Sequence, residues 1–189
     1  MGPSLGLLEV KSIARGLVAA DAMAKEAPVD VVFTRVVEPG KHLTLLAGEV
    51  DDLRTALRRG RAAAADDFQD EMLIPNPHPS LLPALGAAGR VRPPSVDALG
   101  TVETLTVASA LLAADAAAKQ AHVRLLHVRI GADLAGKGVV LLTGEVADVE
   151  SSVSAGARVA EAHGALHRTA VIARPAPALV EAALREGGP

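Results

Sequence analysis

Two hydrophobic periodicities alternate along the chain. Residues 6–10 (GLLEV) and 100–104 (GTVET) are short β-compatible runs, each followed by a Ser- or Thr-led stretch whose apolar positions recur every three to four residues. That spacing predicts helices of about four turns, ending near Ala27-Pro28 and Ala121-His122. Residues 29–37 (VDVVFTRVV) and 123–130 (VRLLHVRI) read as strands, joined through glycine-bearing turns to HLTLLAGEV at 42–50 and GVVLLTGEV at 138–146. Each pair is a hairpin. Second helices are expected over residues 52–65 and 147–163, with Asp51, Asp52 and Asp148 near the N-terminus, where acidic groups suit the helix dipole. Short fourth strands at 72–74 and 166–172 and a proline-started terminal helix complete the pattern. The order βαββαβ plus terminal helix describes an α+β, ferredoxin-like fold, one antiparallel sheet with helices on one face.

The periods repeat because the sequence does. Residues 6–35 and 100–129, offset by 94, share 13 identities in 30 positions. Frequent alanine would give about three by chance, so a tandem duplication is favoured. Gly40-Lys41 and Gly48-Glu49-Val50 match Gly136-Lys137 and Gly144-Glu145-Val146 at offset 96, so two residues are inserted between Arg129 and Gly136. IPNPHPSL at 74–81 then matches IARPAPAL at 172–179. The expected organisation is a first domain at 1–86, a Gly/Pro-rich linker at 87–98 and a second domain at 99–189.

Composition narrows the chemistry. Of 189 residues 38 are alanine; Phe33 and Phe68 are the whole aromatic complement, and there is no cysteine. Thiol nucleophiles, disulfides and Cys-ligated metals are excluded, and no aromatic platform exists on which single-stranded nucleic acid could stack. A net charge of -3 gives no electrostatic footprint for nucleic acid or an anionic membrane. No apolar run has the 18 or more residues of a membrane span, and MGPSLGLLEV lacks the basic flank of a signal peptide. A cytoplasmic protein is expected. Small domains that bury mostly Ala, Val and Leu gain from covering surface with neighbours, which points to oligomerisation.

The GxxE strand, the alanine-rich helix ending AADAxAKxA, and the hairpin with Gly-Lys at its tip closing on GEV resemble the bacterial microcompartment shell domain. Two fused copies resemble its tandem, trimer-forming branch, and PGKHLTLLAGEV, IxNPHPSLLPAL and GKGVVLLTGEV with IARP resemble the propanediol-utilisation type. The likeness covers residues 5–184. It implies a homotrimer whose six domains form a pseudohexagonal tile with an axial pore for small metabolites or ions. Such tiles meet hexameric and pentameric shell proteins edge to edge around encapsulated enzymes. No strand-order swap is evident, so the unpermuted form is expected. The competing class is a trimeric α+β ligand-binding or regulatory protein.

Candidate residues follow from that likeness. The turns that would line the pore comprise Val37, Glu38, Pro39, Gly40 and Lys41 in the first copy, and Gly131, Ala132, Asp133, Leu134, Gly136 and Lys137 in the second. A subgroup of the family carries a cluster-ligating cysteine in the first turn; Glu38 stands there in this chain, so neither an iron–sulfur cluster nor another cofactor is expected. Three copies of Glu38 around one opening would favour cations. Lys25 and Lys119 would lie at tile edges, although from propensity alone each is a helical i,i+4 partner of Asp21 or Asp115. Residues 131–137 fit most of a GxxxxGK phosphate loop, but Gly138 lacks the required hydroxyl and VVLLTGEV follows as a strand. His163 and His167 have helical metal spacing interrupted by Gly164, and no nucleophile-base set is apparent. Neither catalysis nor a metal site is expected.

Overall fold

In the computed structural model, which describes residues 3–85, 96–130 and 134–185, the first copy runs β1 (Ser4–Val10), α1 (Ile13–Glu26), β2 (Asp30–Val37), β3 (Lys41–Gly48), α2 (Val50–Ala64), a 3-10 turn (Ala65–Asp67) and β4 (Phe68–Ile74). After α3 (Leu81–Leu85), the second copy repeats the series as β5 (Ala98–Thr104), α4 (Val107–Gln120), β6 (Arg124–Ile130), β7 (Gly138–Gly144), α5 (Val146–Ala162), β8 (Leu166–Ala173) and α6 (Pro177–Arg185). Two four-stranded antiparallel sheets result, ordered β2-β3-β1-β4 and β6-β7-β5-β8. This is the expected duplicated α+β fold with the strands in unpermuted order.

Local chemistry explains most boundaries. The Ser12 hydroxyl accepts the Arg15 N–H and Thr106 accepts that of Ser109, both at 3.3 Å, capping α1 and α4. Both helices stop at an alanine in extended conformation, Ala27 before Pro28 and Ala121 before His122. The second helices begin earlier than the pattern suggested, at Val50 and Val146, because the strands end at Gly48 and Gly144 and leave Glu49 and Glu145 as extended N-cap residues. Strand β4 starts at Phe68 and not at residue 72; its polar run Gln69-Asp70-Glu71 obscures the period, yet pairing with β1 carries it to Val10.

Helix spacing is set by glycine. A β-carbon on Gly60 would lie 2.5 Å from Met23 Sδ, and one on its counterpart Gly156 would lie 2.9 Å from the Ala113 carbonyl oxygen. Both copies therefore bring their two helices together at a residue with no side chain. The first core gathers Leu8, Val10, Met23, Leu46, Leu53 and Leu57 under that crossing. Burying each such side chain stabilises the fold by about 1.5–3 kcal/mol before entropy is counted.

The two copies solve one packing problem in opposite ways. In the first, Gly16 on α1 faces His42 on β3, whose Cβ would stand 2.3 Å from any added β-carbon. In the second, the equivalent positions hold Ala110 and Gly138, and a β-carbon on Gly138 would lie 2.3 Å from that of Ala110. Bulk has moved from strand to helix, with the other partner reduced to glycine.

Packing divides the chain into two units, Met1–Pro77 with Gly131–Gly136, and His78–Ile130 with Lys137–Pro189. Helix α3, which the repeat places at the end of the first copy, thus belongs to the second unit, where it packs on β6 and α4. Residues 87–95 of the expected linker lie outside the described residues. Matched faces of the two copies differ sharply in burial. Ile13, Leu17, Val31 and Val32 on α1 and β2 are 40%, 55%, 45% and 45% exposed, whereas their counterparts Val107, Leu111, Leu125 and Leu126 are 0%, 1%, 3% and 1% exposed.

Candidate functional site

The first hairpin turn leaves β2 at Val37, which is buried, and passes through the exposed Glu38 and Pro39 to Gly40. Gly40 has φ +100 and donates its N–H to the Val37 carbonyl at 3.0 Å. Positive φ here favours glycine, as a tight reversal requires. Lys41 then opens β3, and its ammonium donates to Glu9 Oε1 at 2.8 Å and to the Gly136 carbonyl at 3.3 Å. The Glu9 side chain is fully buried and that of Lys41 nearly so.

In the second copy Gly131, Ala132 and Asp133 lie outside the described residues. Leu134 is half-buried, and consecutive left-handed residues Ala135 and Gly136 bring the chain to Lys137. Its ammonium donates to Glu103 Oε1 at 2.7 Å, at a wetter place where both side chains are about one-third exposed. His167 Nε2 approaches the same carboxylate at 3.9 Å. The phosphate-loop resemblance ends in strand β7, and His163 at the end of α5 and His167 in β8 sit on different elements.

Each turn lysine is thus tied to the glutamate of the neighbouring central strand. Glu9 and Glu103 are the site residues that the sequence did not assign. The signal was present, since both occupy the fourth position of the repeated GxxE strand, but their partners lie 32 and 34 residues away with no local spacing rule to reveal them. The effect is to fasten the root of each hairpin to the sheet while leaving Glu38 and Pro39 exposed at the first tip.

The other named lysines sit in the last turns of α1 and α4. Lys25 bonds Asp21 at 2.7 Å with both side chains largely exposed. Lys119 bonds Asp115 at 2.5 Å, but Asp115 is only 10% exposed, and its second oxygen accepts the backbone N–H of His78 at 2.7 Å. The local i,i+4 pairing exists in both copies; the strap before α3 locks only the second.

The BMC domain matches residues 4–77 and again 98–175, so both halves of the duplication carry it. The chain belongs to the BMC-domain family. Among its relatives is the bacterial microcompartment shell protein PduT of Citrobacter freundii, 37% identical over 175 residues, which are 93% of this chain and 94% of that protein. The carboxysome shell protein CsoS1 of Prochlorococcus marinus is 43% identical over 89 residues, 46% of this chain and 86% of its own length. A crystal structure of a microcompartment protein from Desulfitobacterium hafniense matches with a TM-score of 0.81 and 43% identity, covering 95% of this chain and 99% of that one. This BMC protein is therefore a tandem-domain structural subunit of a bacterial microcompartment shell, and its relatives are shell proteins and not enzymes. Among the described residues no helix is long and apolar enough to cross a membrane.

Proposed function

We propose that three copies of the chain close into a six-domain tile whose threefold axis passes the Glu38 turns, and that Lys25 and Lys119 lie at the edges where tiles meet. The observation that carries this reading is the unequal covering of matched faces. In the second unit, α3 packs on β6 and α4, and Leu81 is fully buried. The same face of the first copy is bare, and so is the equivalent terminal segment, with Leu179 44% exposed and Val171 and Ile172 also accessible. One surface waits uncovered and one covering element is unused. Two different, complementary surfaces on one chain make a heterologous contact, which yields a ring when its rotation closes.

In such a ring the Glu38 carboxylates repeat three times around one opening, in the place where cluster-binding relatives carry cysteine. With no cysteine in the chain, the ring would select ions by charge and hold no iron–sulfur cluster. The tile would contact other shell proteins at its edges and the encapsulated enzymes at one face.

Light scattering tests the ring and electron microscopy the edges. The purified chain should have three times its 19.2 kDa mass and form flat sheets or tubes. The double variant Lys25→Asp/Lys119→Asp should keep the trimer mass and lose the sheets. Unchanged sheets would refute the edge role, and a chain that stays monomeric would refute the ring.

A further inference from the structure

We infer that Asp21 is the latch of the contact between copies: its free-facing Oδ1 receives the backbone N–H of Ala176 from a second copy of the chain, whose α6 then lies over the bare stripe of Ile13, Leu17, Val31 and Val32. This rests on the ring reading and assigns it a specific contact.

The second unit already contains the template. Asp115 on α4 holds Lys119 through Oδ2 and accepts the His78 N–H through Oδ1. Asp21 is its repeat counterpart, and its Oδ2 holds Lys25 in the same way, while Oδ1 has no hydrogen-bond partner among the described residues and the side chain is 62% exposed.

The covering strap is also duplicated. Asn76 and its counterpart Arg174 both have left-handed backbone, at φ 55 and 47. Both straps then share a turn: Leu81 N–H bonds the His78 carbonyl at 2.9 Å, and Leu179 N–H bonds the Ala176 carbonyl at 2.9 Å. Ala176 therefore occupies the strap position from which His78 donates its N–H to Asp115. One half of each contact is filled in the second unit; for the other, acceptor and donor both exist, and both carry exposed leucines that match buried ones. A charge-assisted bond of this kind also explains why the Asp-x-x-x-Lys pair recurs on the exposed end of α1, where an ion pair alone contributes little.

The absence of cysteine makes the test clean. The control is His78→Cys/Asp115→Cys, which should form a bond within one chain. Asp21→Cys/Ala176→Cys should instead give a covalently closed trimer on a non-reducing gel. Asp21→Ala should weaken trimer association about tenfold or more at each interface. Lys25→Met, which removes only the ion pair, should leave it within about twofold. Wild-type trimers with no cross-link between chains and no effect of Asp21→Ala would overturn the latch and leave the ring standing. A cross-link confined to single chains would overturn the second copy as the occupant. A wild-type chain that never leaves the monomer would remove the ring, and the latch with it.

Discussion

The exchange of bulk between Gly16/His42 and Ala110/Gly138 predicts a reversal of sign in a mutant cycle. Gly16→Ala places a methyl 2.3 Å from His42 Cβ and 2.4 Å from Cγ. The imidazole has little room to retreat, since it is buried and its Nε2 lies 3.2 Å from the Thr34 hydroxyl. Overpacking of this kind costs about 1–3 kcal/mol, partly offset by about 1 kcal/mol of helix propensity gained on replacing glycine. His42→Gly costs about 2–4 kcal/mol through the space it leaves, less whatever is recovered by removing the buried, unpartnered Nδ1. The double variant recreates the arrangement of the second copy, in which the alanine methyl stands over glycine. Gly16→Ala should therefore destabilise the wild type and stabilise the His42→Gly background, with a coupling of about 2–3 kcal/mol. Urea unfolding at one fixed protein concentration, with unchanged slope, measures it. Additivity within about 0.5 kcal/mol would refute the claim that the two positions share one volume.

Three further outcomes follow from the hairpins and buried histidines. Glu9→Ala strands a nearly buried ammonium and should cost about 3 kcal/mol or more, whereas Glu103→Ala, at a wetter pair, should cost about 1 kcal/mol or less; equal unfolding midpoints for the two would contradict the burial difference. Burial holds the imidazoles of His42 and His127 below the ordinary 6.5, with Arg129 adding to the effect at His127. The unfolded chain thus protonates first as pH falls through 6.5, and stability should decline from there until the lower folded pKa is passed. Urea midpoints should fall between about pH 7.5 and 5.5, and less steeply in His42→Gln/His127→Gln. Glu38→Gln should reduce the preference of the pore for cations in ion-permeation measurements, and unchanged selectivity would remove the carboxylate ring from the account.

The duplication made much of the fold legible. Ser12 and Thr106 marked helix starts, Pro28 a helix end, and the Gly-Lys turns the hairpins, because each acts through its immediate neighbours. What stayed hidden depends on distant partners. The glutamates of the GxxE strands were visible as a motif, but not as anchors for lysines more than thirty residues away. His42 looked like one more strand position, since its fit against Gly16 exists only once helix and sheet are stacked. The AADAxAKxA motif recurs almost unchanged, yet Asp21 is exposed and Asp115 enclosed; a repeat shows that two surfaces are equivalent and not which of them is covered.

The assignment of α3 to the second unit moves the working seam of this protein. The sequence divides most visibly in the Gly/Pro-rich stretch after Leu85, whereas the packing divides at Pro77. A split or grafted version cut in that stretch would leave the helix that shields β6 on the wrong fragment, and would expose apolar surface on both pieces. Cutting at Pro77 keeps the shield with the surface it covers, so the second packing unit begins at His78, about twenty residues before the second repeat does.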